Sequence, residues 1–261
     1  MELPENPPNI EEVFRGTREK LDRRLQELDH PYHNKQHAEE VQANVKKFLD
    51  NLSDNTLLTE KEKAMLLECA LRHDDGHSGN TYRQDTLDDG LSNEEYAVKL
   101  LGEDTHGLLP DDDLRFMRDN ILATSFGQSD KAKLPDNKKT YYRDYGPKTP
   151  AQKLLALADV SGFIKGWDGW IDESMRLLEE SPQNSPANMT DWIVNRHGFI
   201  KYHVEPLLKS VQDFLKPEFF NQLEKNLANI STRIEALKDF SNPERIRYET
   251  SLKTIREKSS K

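Results

Sequence analysis

The sequence predicts an all-α fold, and three observations predict it. Apolar residues recur at three- and four-residue intervals over most of the length. No segment alternates apolar and polar residues as a half-buried strand does. The breaks between periodic stretches fall at proline, glycine and polar cap residues. With 261 residues the chain can bury a substantial core. No internal repeat divides it, so the expected architecture is one compact multi-helix domain over residues 1–240 and a charged helical extension over 241–261.

Ile10, Val13, Phe14, Thr17, Leu21, Leu25 and Leu28 mark the inward face of a first helix. It should stop near His30-Pro31, because a residue before proline avoids helical geometry. A second helix starts around Asn34 and carries Val41, Val45, Phe48, Leu49 and Leu52, with His33 and His37 on the same side. Thr59 and Glu62 have capping-box spacing and open a third helix that runs to His73. Residues 74–91 are polar and glycine-containing, which suits an ordered loop beside His73. Short helices are expected near 92–101 and 112–125, and the polar stretch 126–149 suits a flexible flap. Further helices are expected over about 150–164, 167–180, 188–215, 217–239 and 243–257, the last residues being frayed.

Composition narrows the function. The net charge is -10 and no Lys/Arg block is long enough to track phosphates, which argues against extended nucleic acid and anionic membrane as partners. No apolar run approaches membrane-spanning length, and the acidic, proline-rich start does not resemble a signal peptide. The single cysteine, Cys69, lies among apolar neighbours and should be a buried, inert thiol. A cytoplasmic protein is expected. The sequence has neither a Gly-x-Ser-x-Gly elbow nor a phosphate-binding Gly-x-x-x-x-Gly-Lys loop, and no His-Glu-x-x-His helix.

What remains is a set of histidines and aspartates. His33 and His37 are four apart, His73 and Asp74 are adjacent at a helix end, and Asp159 follows an apolar run. Imidazole with carboxylate suits zinc, manganese, iron or magnesium. Asp74 has two oxygens to share and is the natural bridge between two ions. Taken singly, each residue has a plainer explanation: an inward histidine hydrogen-bonded in the core, or an aspartate capping a helix. Their number and adjacency favour a dinuclear metal site, which suits hydrolysis of a phosphoester.

At these residues the chain resembles the HD superfamily of metal-dependent phosphohydrolases, and within it the catalytic domain of class I cyclic-nucleotide phosphodiesterases. Tyr32-His33-Asn34 with His37-Ala38 and Val41 is similar to that family's first motif, and His73-Asp74-Asp75-Gly76-His77-Ser78-Gly79-Asn80 to its second. Ile121-Leu122-Ala123-Thr124, Leu157-Ala158-Asp159-Val160-Ser161 and Gly198-Phe199-Ile200-Lys201-Tyr202-His203-Val204-Glu205-Pro206-Leu207 match three more in the same order. The resemblance implies His37, His73, Asp74 and Asp159 as ligands of the first of two divalent ions, with Asp74 bridging to the second. It implies attack by metal-bound hydroxide, with His33 as the general acid for the leaving 3′-oxygen. His77 and Thr124 would hold waters around the metals, and Phe199 would stack on a base.

Three departures bear on substrate. Arg196 stands where the family has a glutamine that meets the purine edge, and Gly162 stands where it has an asparagine. For the glutamate that orients the acid histidine, Ser92 falls in register, with Glu94 and Glu95 as neighbouring substitutes. The expected substrate is a small nucleotide-like phosphoester, a 3′,5′-cyclic nucleotide being one candidate. The alternatives are a nucleotide phosphomonoesterase, which Arg196 on a terminal phosphate would favour, and a domain that binds a ligand or partner without turnover.

Overall fold

Helix α1 (Ile10–Glu27) starts where the Asn9 side chain accepts from the Glu11 N–H, and it buries Val13, Phe14, Thr17, Leu21 and Leu25 along one stripe. The computed structural model describes residues 9–54, 58–79, 91–125, 146–180 and 189–259. Helix α2 (Lys35–Asp50) is capped by Asn34, whose side chain accepts from the backbone N–H of His37. Helix α3 (Glu60–Arg72) opens on the Thr59–Glu62 capping box expected from the spacing. Ser92 with Glu95 and Thr149 with Gln152 make the same reciprocal caps for α4 (Asn93–Asp104) and α6 (Pro150–Asp159). Between them lies α5 (Asp111–Leu122), its first turn carrying three aspartates that suit the positive end of the helix dipole.

Helix α7 (Gly166–Glu180) is followed by α8 (Met189–Phe199), α9 (Glu205–Lys209), α10 (Pro217–Ala236) and α11 (Pro243–Ser259). The fold is all-helical over the described residues. Its one strand-like pairing there is an isolated antiparallel contact, Leu52 with Leu215. The core sits where α2, α3 and α6 pack on one another. Val41, Phe48, Leu66, Leu154, Leu155 and Leu157 are fully buried within it. Helix α11 reaches the same core through Tyr248, Leu252 and Ile255. Cys69 is buried, donates to the Met117 carbonyl, and has its thiol pKa pushed up by burial. No helix among the described residues is long and apolar enough to cross a membrane.

Two expected helices are interrupted. The one over 150–164 ends at Asp159 and becomes a tight 3₁₀ turn, Ser161–Lys165. There the Ser161 hydroxyl donates back to the Ala158 carbonyl and accepts from Asn44 Nδ2 at 2.6 Å. That side chain competes with the helix for backbone groups. The long helix expected over 188–215 widens into a π turn at Ile200–Val204 and resumes as α9. Pro206 is the cause, since it lacks an N–H and its ring crowds the preceding turn. Most of the expected loop and flap (residues 80–90 and 126–145) lie outside the described residues.

Beneath the end of α3 lies a closed set of buried charges. The Arg72 guanidinium donates to Glu68 at 2.7 Å, to Asp104 at 2.9 Å and to Thr17 at 2.8 Å. Arg24 grips Asp75 with two bonds of 2.8 and 2.6 Å and reaches Asp104 as well. The cluster ties α1, α3 and α4 together around the residues that flank His73 and Asp74. Buried charges are tolerated when paired and hydrogen-bonded this fully.

Candidate metal centre

Four side chains from three helices converge at one point. His37 comes from the first turn of α2, His73 and Asp74 from the end of α3, and Asp159 from the last residue of α6. One donor atom from each lies within 4.8 Å of all the others. His37 Nε2 is 3.1 Å from Asp159 Oδ1 and 3.4 Å from Asp74 Oδ2. His73 Nε2 is 3.0 Å from Asp74 Oδ2 and 3.3 Å from Asp159 Oδ1.

The protonation pattern suits a cation. His73 Nδ1 bonds the Ala70 carbonyl at 2.8 Å, so it carries the proton and Nε2 turns a lone pair to the cluster. His73 Nε2 and Asp74 Oδ2 are both shut off from water without a hydrogen-bond partner. Burial works against both aspartates as anions, yet the facing histidines hold Asp74 well below the usual carboxylate range and bring Asp159 to about 2. Burial likewise opposes a charged His73, but the two aspartates raise its pKa well above the imidazole value. A proton held there occupies the same lone pair that a metal ion would take. Two imidazole nitrogens and two carboxylate oxygens fit zinc, manganese, iron or magnesium.

His33 stands beside this cluster, one helical turn before His37, with ring centroids 5.9 Å apart. Its Nδ1 pairs closely with Glu180 Oε1. Glu180 Oε2 accepts the backbone N–H groups of Tyr32 and His33 at 2.9 and 2.8 Å. Burial disfavours charge on His33, but Asp74 and Glu180 overcome it and raise its pKa. Burial would also raise Glu180, which the bond to His33 pulls down to about 2 instead. His77 stacks on His33 with centroids 3.7 Å apart. Burial and the neighbouring His33 lower the His77 pKa to about 3, so it stays neutral. Its Nδ1 accepts from the Gly79 N–H and its Nε2 lies 2.9 Å from the Asn93 amide, which fixes the ring in place. Gly76 permits this return of the chain, with φ +75 and the Tyr96 ring where a side chain would stand.

The carboxylate on His33 is therefore Glu180, not Glu94 or Glu95. Glu95 is committed to the α4 cap, with Ser92 N–H donating to its Oε2 at 3.0 Å. Burial and, in lesser part, the charge of Asp74 raise the pKa of Glu94. Thr124 is buried and donates to the Ile121 carbonyl at 2.8 Å. Sequence reasoning missed Glu180 because it lies 147 residues from His33. One signal was available: Glu173 and Glu180 are two helical turns apart on one face of α7.

Glu173 is the second residue missed. It fills the space left at Gly162, where an added Cβ would strike the Glu173 carboxyl and come within 3.1 Å of the Trp170 backbone. Burial raises the Glu173 pKa to about 7, against the pull of Lys165 and with a contribution from Asp159. Tyr32 links this side to the metal cluster, its ring 4.4 Å from that of His37. Arg196 and Phe199 lie together at the end of α8, the guanidinium 5.4 Å from the ring centroid.

No protein-family model and no curated protein matches the chain. Solved structures do. The phosphodiesterase domain of the rhodopsin phosphodiesterase from Salpingoeca rosetta superposes with a TM-score of 0.61 at 20% identity, covering 87% of this chain and 82% of that one. This chain has a phosphodiesterase-domain fold. LmjPDEB1, solved in complex with IBMX, matches with a TM-score of 0.61 at 18% identity over 88% of this chain and 80% of its own. The phosphodiesterase domain of the RhoPDE fusion protein from the choanoflagellate Salpingoeca rosetta matches at 0.56 and 17% identity, over 100% of this chain and 95% of that one. In this phosphodiesterase-type fold the four donors, His33 and Glu180 lie close together.

Proposed function

We propose that this protein is a metal-dependent phosphodiesterase that hydrolyses a small nucleotide-like phosphoester. One observation carries the reading: four metal-type donors converge beside a histidine whose far nitrogen is held by a carboxylate. Likeness to phosphodiesterase domains, one of them solved with IBMX, supports it further.

His37, His73, Asp74 and Asp159 would hold one divalent ion, and Asp74 would share a second. Ions bound there supply water activation at neutral pH and offset the charge of the phosphoryl group. The rest falls to the chain's own side chains. Glu180 fixes His33 Nδ1, so the transferable proton sits on Nε2. As water attacks phosphorus and the ester P–O bond breaks, the leaving oxygen takes that proton. His77, neutral and stacked on His33, keeps the ring from turning away. Glu94 and Thr124 would order water around the metals.

The test is a panel of cyclic AMP, cyclic GMP, bis(4-nitrophenyl) phosphate and nucleoside 5′-monophosphates, each assayed with zinc, manganese, magnesium and iron(II). Hydrolysis of a diester that requires added metal and is lost in Asp74→Asn is the expected result. Turnover of monoesters alone would make the protein a phosphomonoesterase. Fewer than one bound metal per chain, with no turnover, would reduce it to a binding domain.

A further inference from the structure

The buried stripe of α2 carries two polar residues among its apolar ones. His37 lies in the first turn and faces the metal cluster, while Asn44 stands seven residues on, among Val41, Val45 and Phe48. Asn44 is only 3% exposed. Local rules argue against an asparagine there: it is a poor helix former, its amide loses water, and a leucine would fill the stripe as well. Exceptions of this kind are kept where the group has a task.

The task is visible in what Asn44 touches. Its Nδ2 donates to the Ser161 hydroxyl at 2.6 Å, and that hydroxyl, itself 1% exposed, donates on to the Ala158 carbonyl. Ala158 is among the last four residues of α6, whose carbonyls lack a partner in the regular helical ladder. Asp159 comes next and is the last residue of that helix. It is also the least buried of the four metal-type donors. Helix ends fray, and fraying here would swing a ligand out of place. One face of α2 therefore holds the end of α6 twice. His37 Nε2 stands 3.1 Å from Asp159 Oδ1, and Asn44 secures the turn just beyond it. These anchors are two turns apart on α2, roughly 10 Å along its axis, so they fix direction as well as distance.

We propose that Asn44 is a positioning residue for the metal centre, acting through Ser161 and the Ala158 carbonyl to hold Asp159 where it can share a cation with His37. The cation itself belongs to the phosphodiesterase reading, on which this proposal rests. Asn44→Leu and Ser161→Ala each cut the chain of bonds at one link, whereas Ser161→Thr keeps the hydroxyl.

Zinc binding to the metal-free full chain, read by competition with a chromophoric chelator, tests it. Losing a group that orients a metal ligand costs about ten- to a hundredfold in metal affinity. Asn44→Leu and Ser161→Ala should each weaken zinc about tenfold. The double variant should stay within about threefold of either single one, because both cut the same chain. Ser161→Thr should remain within about threefold of wild type. Leu252→Ala, a core truncation in α11, is the control: it should lower stability in urea with zinc affinity unchanged. Affinities within about threefold of wild type in both single variants overturn the proposal and leave the bond a plain tie between helices. An equal loss in Leu252→Ala also overturns it, since the effect would then be general loosening. So do losses that multiply in the double variant, because the two residues would then act separately. If Asn44→Leu does not fold, Ser161→Ala against Ser161→Thr decides. Wild-type protein that takes up less than one zinc per chain sinks the phosphodiesterase reading and the proposal with it. Full uptake with unchanged variants sinks the proposal alone.

Discussion

Four consecutive residues, Arg72 to Asp75, divide between two polar clusters built on opposite rules. Arg72 and Asp75 turn into a closed network in which each charge meets its complement: Arg72 with Glu68 and Asp104, Asp75 with Arg24. His73 and Asp74 turn the other way, into a set where ligand atoms crowd within 4.8 Å and two of them have no hydrogen-bond partner. Both clusters are buried, so burial alone does not separate structure from function. Satisfaction does. A network with its partners in place is fully provided for by the chain, while an unsatisfied one waits for a charge from outside.

Substitutions on the two sides should therefore behave oppositely. Asp74→Asn should lower metal-dependent hydrolysis by about a thousandfold or more, the scale of losing a metal's contribution to the transition state. In metal-free protein the same change should lower the thermal midpoint by less than a break in the closed network does, because His37 and His73 offset the Asp74 charge in the folded state. A large loss of metal-free stability would erase the contrast. Across the divide, Arg24→Ala should cost about 3–5 kcal/mol in urea unfolding, because it strands Asp75 and leaves Asp104 to Arg72 alone. A cost near zero would mean that the closed network is not what holds α3 in place.

Glu180→Gln should act on proton transfer rather than on stability. A loss of about a hundredfold in kcat is expected for a displaced general acid. Because Glu180 helps to raise the His33 pKa, its removal should also move the alkaline limb of the kcat profile to lower pH. An unmoved limb would detach Glu180 from the acid. The smallest effect is expected at Glu173, whose folded pKa of about 7 exceeds its value in an unfolded chain. The folded state then holds the extra proton, so the contribution to stability is present at low pH and lost as pH rises toward 7. Glu173→Gln should flatten that decline by about 1–2 kcal/mol after allowance for partial exposure. Parallel pH–stability curves for the two proteins would show that Glu173 does not hold its proton.

The helices were legible because their signals are local. Thr59 with Glu62 announces a cap within four residues, and the stripe from Val13 to Leu25 announces a buried face within five turns. Where a local signal was overridden, the override was itself short-range. Ser161 bends the chain after Asp159, and Pro206 forces the wide turn after Phe199. The metal-type residues were legible for a different reason, since His73-Asp74 and the His33–His37 pair already carry the right chemistry at the right spacing.

By itself, then, the sequence determined an all-helical chain and the donor types it could offer to a metal, because periodicity, capping and ligand chemistry depend on neighbours in the chain. Only the tertiary structure decided which carboxylate holds His33 and what stands in the place opened by Gly162. Those are questions of which side chains share a volume. Glu180 meets His33 across 147 residues, and no spacing rule reaches that far. Pairing in a folded interior is settled by packing, and packing is a property of the whole chain.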